Sequence, residues 1–116
     1  MQNKRIAVII DASNQSVVKK MISADDSYDF IRKELGTEYA EKQPILTSGI
    51  DLWFDEDDIY KFNKTIFVKS NKKPFFMCGG KAVLMKDDGF GPIGFSSIKE
   101  VNSKLNSVKL KFEFDD

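Results

Sequence analysis

Histidine is absent from this chain of 116 residues, and cysteine and tryptophan occur once each. Without histidine the chain lacks the commonest general base and metal ligand, and every Ser-His or Cys-His catalytic pair is excluded. Catalysis would have to depend on carboxylates, lysines or Cys78, and none of these stands in a recognisable catalytic motif. We therefore predict a non-catalytic protein with no cofactor and no metal site.

A single cysteine cannot form an internal disulfide, which fits a reducing compartment. No apolar run approaches the roughly 20 residues of a membrane span, and residues 1–10 lack the length and the cleavage site of a signal peptide. We expect a cytoplasmic protein that does not contact a membrane. Cys78 itself follows Met77 in an apolar run, which favours a buried, unreactive thiol.

Charge and aromatic residues, in contrast, are plentiful. Hydrophobic residues make up 41% of the chain and charged residues 31%, which is typical of a globular protein. We expect one domain over residues 1–116, because this length supports one core. The net charge is zero, yet residues 1–58 carry 7 basic and 12 acidic side chains and residues 59–116 carry 11 and 6. Such polarity can steer a charged partner, unless folding intermixes the two halves.

The first elements are predicted from apolar patterning. Arg5–Asp11 is rich in β-branched residues, as in a strand that is covered on both faces. Small polar residues over Asp11–Ser16 predict a turn, and Val17–Ile22 would be the return strand of a hairpin. A helix over Ser16–Ala24 is the alternative, since the apolar spacing there also fits helical periodicity.

A helix is predicted at about residues 26–36. Asp26 is placed to cap its N-terminus, and Gly36 suits the left-handed position that ends a helix. Polar residues 37–43 predict a loop with room for one more helical turn. Alternating apolar residues over Pro44–Phe54 then predict a strand with a bulge at Gly49.

Four adjacent carboxylates follow that strand, at Asp55, Glu56, Asp57 and Asp58. They repel one another, so we expect them in a turn exposed to solvent. Hard cations prefer oxygen ligands, but this run lacks the alternate ligand spacing, the central glycine and the distant glutamate of a calcium loop. The run therefore predicts a solvated turn rather than a metal site.

The second half is predicted to be rich in strands. A connector over residues 59–63 precedes a strand at Lys64–Lys69, a turn at Ser70–Lys73, and two further strands at residues 75–78 and 81–86. Gly79-Gly80 between the last two suits either a hairpin turn or a bulge within one long strand.

The chain closes with a second helix and a last strand. Ser97 and Glu100 form a capping box for a helix that reaches about Asn106. Ser107–Phe114 alternates apolar and charged residues, as in a half-exposed strand at a sheet edge. Together these elements predict an α+β fold, with a mostly antiparallel sheet of about five to seven strands and two short helices packed on it.

One stretch combines lysines with aromatic residues. Residues 61–81 contain six lysines, four phenylalanines and no acidic residue. Lysines that follow phosphates beside stacking aromatic rings are typical of proteins that bind single-stranded nucleic acid. Two features weigh against that function here, namely the zero net charge and the presence of only two arginines, Arg5 and Arg32, for base contacts.

The order of these pieces resembles a poorly characterised family of small proteins encoded by phages, plasmids and other mobile elements. The resemblance covers about residues 5–105 and depends on the segments RIAVIID, DSYDFIRKELG, IDLWFDED, Asn63, FFMCGGKAVLMKDD and GPIGFSSIKEV. This chain lacks the proline that commonly precedes the connector asparagine, and Ser107–Asp116 is additional. The family carries no catalytic motif to transfer. The resemblance implies a protein that binds a host protein, with host defence systems as frequent targets.

Three functions follow as hypotheses. The first is a non-catalytic interaction protein that binds and inhibits or modulates a host defence protein. The second is a domain that binds or sequesters a small molecule or nucleotide, and the third is the single-stranded nucleic-acid module. An edge strand also offers a route to a homodimer. For the first hypothesis, the candidate partner-binding residues are charged and lie in two turns: Asp55, Glu56, Asp57, Asp58, Lys69, Lys72 and Lys73.

Overall fold

The computed structural model describes residues 4–45, 49–57, 64–71 and 73–115, with residues 73–75 as backbone only. The fold of these residues is α+β, as the sequence predicts. Its elements are, in chain order, β1 (Lys4–Asp11), β2 (Ser16–Ser23), α1 (Ser27–Leu35), β3 (Glu41–Pro44), β4 (Ile50–Phe54), β5 (Thr65–Ser70), β6 (Lys73–Gly79), β7 (Lys81–Lys86), α2 (Ile98–Ser107) and β8 (Leu110–Phe114).

The larger of two sheets is antiparallel throughout, with the strand order β2-β1-β7-β4-β3. Its central strands are covered on both faces, which explains their continuous apolar sequences. Val8 of β1, Leu84 of β7 and Leu52 of β4 lie side by side on one face, and all three are fully buried. On the opposite face Ile9, Val83 and Trp53 form the matching row.

The smaller antiparallel sheet has the order β6-β5-β8 and packs with α2 against the first of these faces. Ile66, Val68 and Cys78 of this sheet and Val101 of α2 share one buried cluster with Val8, Leu52 and Leu84. Burial of Cys78, with 3% of its surface exposed, confirms that prediction. The larger of the two buried apolar clusters therefore lies between the two sheets.

The single helix α1 covers the other face of the large sheet. Ile31 and Leu35, one turn apart, pack against Val83, Trp53 and Ile22. The helix follows a short 3-10 turn (Ala24–Asp26) and ends at Gly36 in the predicted left-handed conformation, with φ of 70°. Asp26 occupies the N-cap position, but its side chain makes no capping hydrogen bond. The expected role of Asp26 is therefore wrong.

Three elements match their predictions closely. β1 and β2 form the hairpin, with eight paired positions, so the helical alternative for residues 16–24 is wrong. α2 begins as a capping box, in which the Ser97 hydroxyl accepts a hydrogen bond from the Glu100 N–H at 3.1 Å. β8 lies at a sheet edge.

The predicted strand over Pro44–Phe54 is not continuous, because it covers the last residue of β3 and all of β4. β3 and β4 pair antiparallel, and Gly49, with φ of 73°, lies in the connection between them rather than in a bulge. Residues 37–43 were expected as a loop, yet their last three residues belong to β3. The sequence of β3, EKQP, carries no apolar alternation because it is a solvent-exposed edge strand.

Gly79-Gly80 forms neither a hairpin turn nor a bulge, because β6 and β7 belong to different sheets. The pair carries the chain from one sheet to the other. The Gly80 N–H donates to the Lys64 carbonyl at 3.1 Å, and the Gly80 carbonyl accepts from the Ala12 N–H at 2.8 Å. Its φ of 71° favours glycine. This crossover divides the eight strands of the described residues between two sheets, where about five to seven strands in one sheet were expected.

In the part of the chain that the structure describes, neither helix has the length and apolar character needed to cross a bilayer.

Candidate functional site

The acidic turn is only partly exposed. Asp55 has 6% of its surface exposed, and its Oδ1 accepts a hydrogen bond from the Asp57 N–H at 3.0 Å. Glu56 and Asp57 are exposed, while Asp58 and the connector at 59–63 lie outside the described residues. The expectation that all four carboxylates face solvent is therefore wrong for Asp55. It continues the alternation of β4 and serves as the acceptor for the backbone of its own turn.

The lysine-bearing turn between β5 and β6 is a tight hairpin, with Ser70 paired to Lys73. Lys69, one of the predicted partner-binding residues, forms an ion pair in which its Nζ lies 2.9 Å from Glu113 Oε2. Lys72 is outside the described residues, and only the backbone of Lys73 is described. Asn71 is at the tip with φ of 54°, and its N–H donates to the Lys109 carbonyl at 3.2 Å. The hairpin tip is thereby fixed against the segment that joins α2 to β8.

A cleft opens where this tip meets α2 and β8, and we call it the asparagine–lysine cleft. Its volume is about 570 Å³, and it is lined by Asn71, Asn102, Leu105, Asn106, Lys109, Leu110 and Lys111. Asn102 and Asn106 are one helical turn apart and share a face of α2. Lys109 adopts φ of 50°, and its N–H donates to the Asn106 carbonyl at 3.1 Å. This tight helix end turns the chain so that β8 returns past the same face.

The cleft is rich in hydrogen-bond donors and carries positive charge. Within the described ranges, the ammonium groups of Lys109 and Lys111 make no ion pair with a carboxylate, in contrast to Lys69, Lys81 and Lys86. The side-chain amides of the three asparagines make no hydrogen bond to the rest of the described chain. Two charged and three neutral polar groups therefore remain available to a ligand at one place.

A second cleft contains carboxylates whose burial was not predicted from the sequence. It measures about 590 Å³ and lies at the edge of the large sheet, between β3, β4 and the loop after β7. Asp51 has 7% of its surface exposed, and burial is the main cause that raises the pKa of its carboxyl group, with Asp87 adding to the effect and Lys42 opposing it. The Lys42 Nζ lies 3.8 Å from Asp51 Oδ2 and 3.7 Å from Asp87 Oδ2. Lys42 therefore offsets part of the negative charge of these two carboxylates.

The charged residues of this carboxylate cleft have a structural role, and we do not assign a ligand to it. Lys42 of β3 ties the edge strand to Asp51 of β4 and to Asp87 after β7, so the three charges fasten three neighbouring segments. Among the described residues, no group of three or more Asp, Glu or Cys side chains is arranged to hold a metal ion. The one sequence signal for Asp51 was its position between the apolar residues Ile50 and Leu52.

The aromatic residues of the 61–81 stretch do not form one stacking surface. Phe67 is 38% exposed on the outer face of the small sheet, beside Met77. Phe76 points to the opposite side, where it packs against Phe54 with ring centroids 4.9 Å apart. Phe62 lies outside the described residues, and the side chain of Phe75 is not described. Of the four rings, the structure therefore places one outward and one in the core.

Comparisons of the chain with protein-family models, curated proteins and solved structures find no significant match. The resemblance to small proteins of mobile elements therefore stays a prediction.

Proposed function

We propose that this chain is a non-catalytic binding protein whose asparagine–lysine cleft takes an acidic segment of a partner protein. The observation that carries the proposal is the convergence of Lys109, Lys111 and three side-chain amides on one cleft, with none of these groups bonded elsewhere in the described chain. The cleft joins Asn71, at the tip of the lysine-bearing hairpin, to residues about 30 to 40 positions further along the chain, and none of the predicted partner-binding residues that the structure describes lines it.

The lining residues suit an extended acidic peptide. Ammonium groups bind carboxylates through charge-assisted hydrogen bonds, and primary amides can both donate to and accept from a peptide backbone. Leu105 and Leu110 add apolar surface between the polar groups. Neighbouring charge supports the same sign of ligand, since Lys104 also lies on α2. An acidic partner would therefore meet both long-range attraction and specific contacts.

The resemblance to proteins of mobile elements supplies the expected partner, a host defence protein that this chain inhibits or modulates. A cytoplasmic setting belongs to the same proposal, because a single buried thiol suits a reducing compartment. Nucleic acid is the less favoured ligand. Lys69 is neutralised by Glu113, and Phe76 of the predicted stacking residues faces the core. A small anionic molecule remains the second candidate, since the cleft has the volume for one.

The test compares two charge reversals on the same helix–strand unit. Lys109→Glu places a carboxylate in the cleft, whereas Lys99→Glu makes the same change on an exposed position of α2 outside it. Amide chemical shifts would be recorded while a peptide of about ten residues, rich in Glu and Asp, is added at low salt. We expect shifts at residues 71, 102–106 and 109–111 in the wild-type protein and in Lys99→Glu, and their loss in Lys109→Glu.

Capture from host lysate extends the test to a whole partner. Wild-type protein and Lys99→Glu should retain the same dominant protein, which Lys109→Glu loses. Equal retention by the wild type, Lys99→Glu and Lys109→Glu would reject the cleft as the binding site. Peptide-induced shifts at residues outside the cleft would reject it as well. If a nucleotide raises the melting temperature of the protein when no peptide is present, that result would favour the small-molecule alternative.

A further inference from the structure

Along its outer side, the edge strand β8 has backbone hydrogen-bonding groups that make no hydrogen bond to any residue the structure describes. The Lys109 carbonyl accepts from the Asn71 N–H, and the Asp115 N–H donates to the Thr65 carbonyl at 3.4 Å. Odd-numbered positions of this segment therefore direct their backbone groups toward β5. Because successive residues of a strand point these groups to opposite sides, the N–H and C=O groups of Leu110, Phe112 and Phe114 point outward.

We propose that two copies of this chain pair through β8, in an antiparallel arrangement with a two-fold axis at Phe112. Each Phe112 then lies opposite the Phe112 of the second copy, and Leu110 lies opposite Phe114. The outward backbone groups of these three residues pair with their counterparts across the axis. The two small sheets join into one continuous sheet of six strands, with the order β6-β5-β8-β8-β5-β6. Leu110 and Lys111 contribute to this edge and also line the cleft, so dimerisation and a ligand in the cleft compete for Lys111.

The charges of β8 are complementary to themselves in this register. Lys111 of each copy lies opposite Glu113 of the other, so two ion pairs form from one sequence. These positions are the non-hydrogen-bonded pairs of the new ladder, at which opposed side chains come closest. Glu113 is 54% exposed and uses its Oε2 toward Lys69 of its own chain, which leaves Oε1 for the second copy.

The same register relieves a repulsion within each copy. Lys69 and Lys111 are direct neighbours across β5 and β8, and Glu113 is close enough to pair only with Lys69. In the dimer, the Glu113 carboxylate of the second copy lies beside Lys111 and offsets its charge. On the opposite face, Phe112 and Phe114 are half-buried in the single copy, and a second strand would extend their cover.

The two edges of the large sheet, β2 and β3, are not self-complementary in this way. A two-fold pairing centred in β2 puts Lys19 or Lys20 against the same lysine of the second copy, and like charges directly opposite are destabilising. β3 has four residues and ends in Pro44, which cannot donate to a ladder. Unlike these two edges, β8 has charges and apolar residues that match their own reversed order.

Charge reversal tests the register directly. Glu113→Lys makes every opposed charge positive, and Lys111→Glu makes every opposed charge negative. Sedimentation equilibrium at protein concentrations from about 5 to 500 µM in low salt would measure the dimer dissociation constant. We expect each single variant to weaken dimerisation at least tenfold. Glu38→Lys, an exposed change of the same charge, should leave the constant within about twofold of wild type.

Mixing the two variants supplies the decisive result. In a 1:1 mixture, opposed positions carry Glu and Lys again, so a heterodimer should form where neither variant dimerises alone. Circular dichroism of each variant identifies any that fails to fold, and the double variant Lys111→Glu with Glu113→Lys should dimerise as the wild type does. A wild-type protein that stays monomeric throughout, a dimer insensitive to Glu113→Lys, or folded variants that do not associate on mixing would overturn the proposal.

Discussion

Glu100 of α2 and Lys86 at the end of β7 lie 3.1 Å apart, between Oε2 and Nζ. The other carboxylate oxygen of Glu100 accepts the Ser96 N–H at 2.9 Å, so one side chain both caps the helix and fastens it to the large sheet. The backbone hydrogen bond from Ser96 is the main cause that lowers the pKa of Glu100, with Lys86 contributing in the same direction.

Glu100→Gln should therefore destabilise the protein at neutral pH by about 0.5–1.5 kcal/mol, since glutamine keeps the cap but loses the charge. A carboxyl group whose folded-state pKa is depressed stabilises the fold above its unfolded pKa, and this contribution disappears as the pH falls through the folded-state pKa. Urea denaturation at pH 7 and near pH 3 measures the difference. Glu38→Gln, on an exposed loop, is the control, and equal effects of the two changes at pH 7 would contradict the assignment.

Asp51 should show the opposite dependence on pH. Its pKa is raised, chiefly by burial, so the folded state holds the proton more tightly than the unfolded state does. The contribution of Asp51 to stability is thus largest below its unfolded pKa of 3.8 and declines as the pH rises through the folded-state value. Asp51→Asn should lack this decline while Lys42 stays paired with Asp87. Denaturation across that pH range measures how the free energy of unfolding changes with pH, with the exposed Asp88→Asn as control. The same slope in wild type and Asp51→Asn would contradict the prediction.

Gly94 should tolerate no side chain. A Cβ there would lie 3.0 Å from Arg5 Cβ and 3.1 Å from the Ile6 carbonyl oxygen, and its φ is +82°. Gly94→Ala should cost about 2–4 kcal/mol of unfolding free energy, from left-handed strain and from displacement of the neighbouring backbone. Gly89→Ala has φ of +95° with nothing within 4 Å, so it isolates the strain, at about 1–2 kcal/mol. Equal losses in urea denaturation would show that the contact with β1 is unimportant.

Cys78 should resist thiol reagents in the native protein, because 3% of its surface is exposed and it lies in the core between the sheets. Modification by an aromatic disulfide reagent should be at least a hundredfold slower than in urea, since it requires the core to open. Addition of a destabilising change such as Gly94→Ala should speed the native reaction in proportion to the lost stability. Rapid modification without any dependence on stability would place the thiol near the surface.

Local signals account for the elements that the sequence predicts well. The unbroken β-branched run of β1, the Ser97 and Glu100 pair before α2, and the alternation of β8 each occur within a few residues. β3 was not predicted, because its sequence is polar and has no local pattern. Its strand conformation depends on pairing with β4. The route of the chain through Gly80 likewise depends on partners far along the chain, at Ala12 and Lys64.

The candidate site was only half predictable for the same reason. The hairpin tip was identified from its lysines, but the groups that line the cleft with it come from α2 and β8. No spacing in the sequence places Asn71 next to Lys109, since that contact requires β5 and β8 to pair first. Lys69, which was among the predicted residues, lies outside the cleft and pairs with Glu113, two positions from Lys111 in β8.

The position of β7 has a consequence for how the chain reaches its native state. β7 fills the centre of the large sheet, between β1 and β4, although it follows both in the chain. While the ribosome is still making residues 81–86, the nascent protein carries β1 and β4 with their facing ladders empty. Because β7 pairs late and with strands far away in the sequence, the contact order is high and we expect slow folding. We also expect the growing chain to benefit from chaperones until β7 has been synthesised.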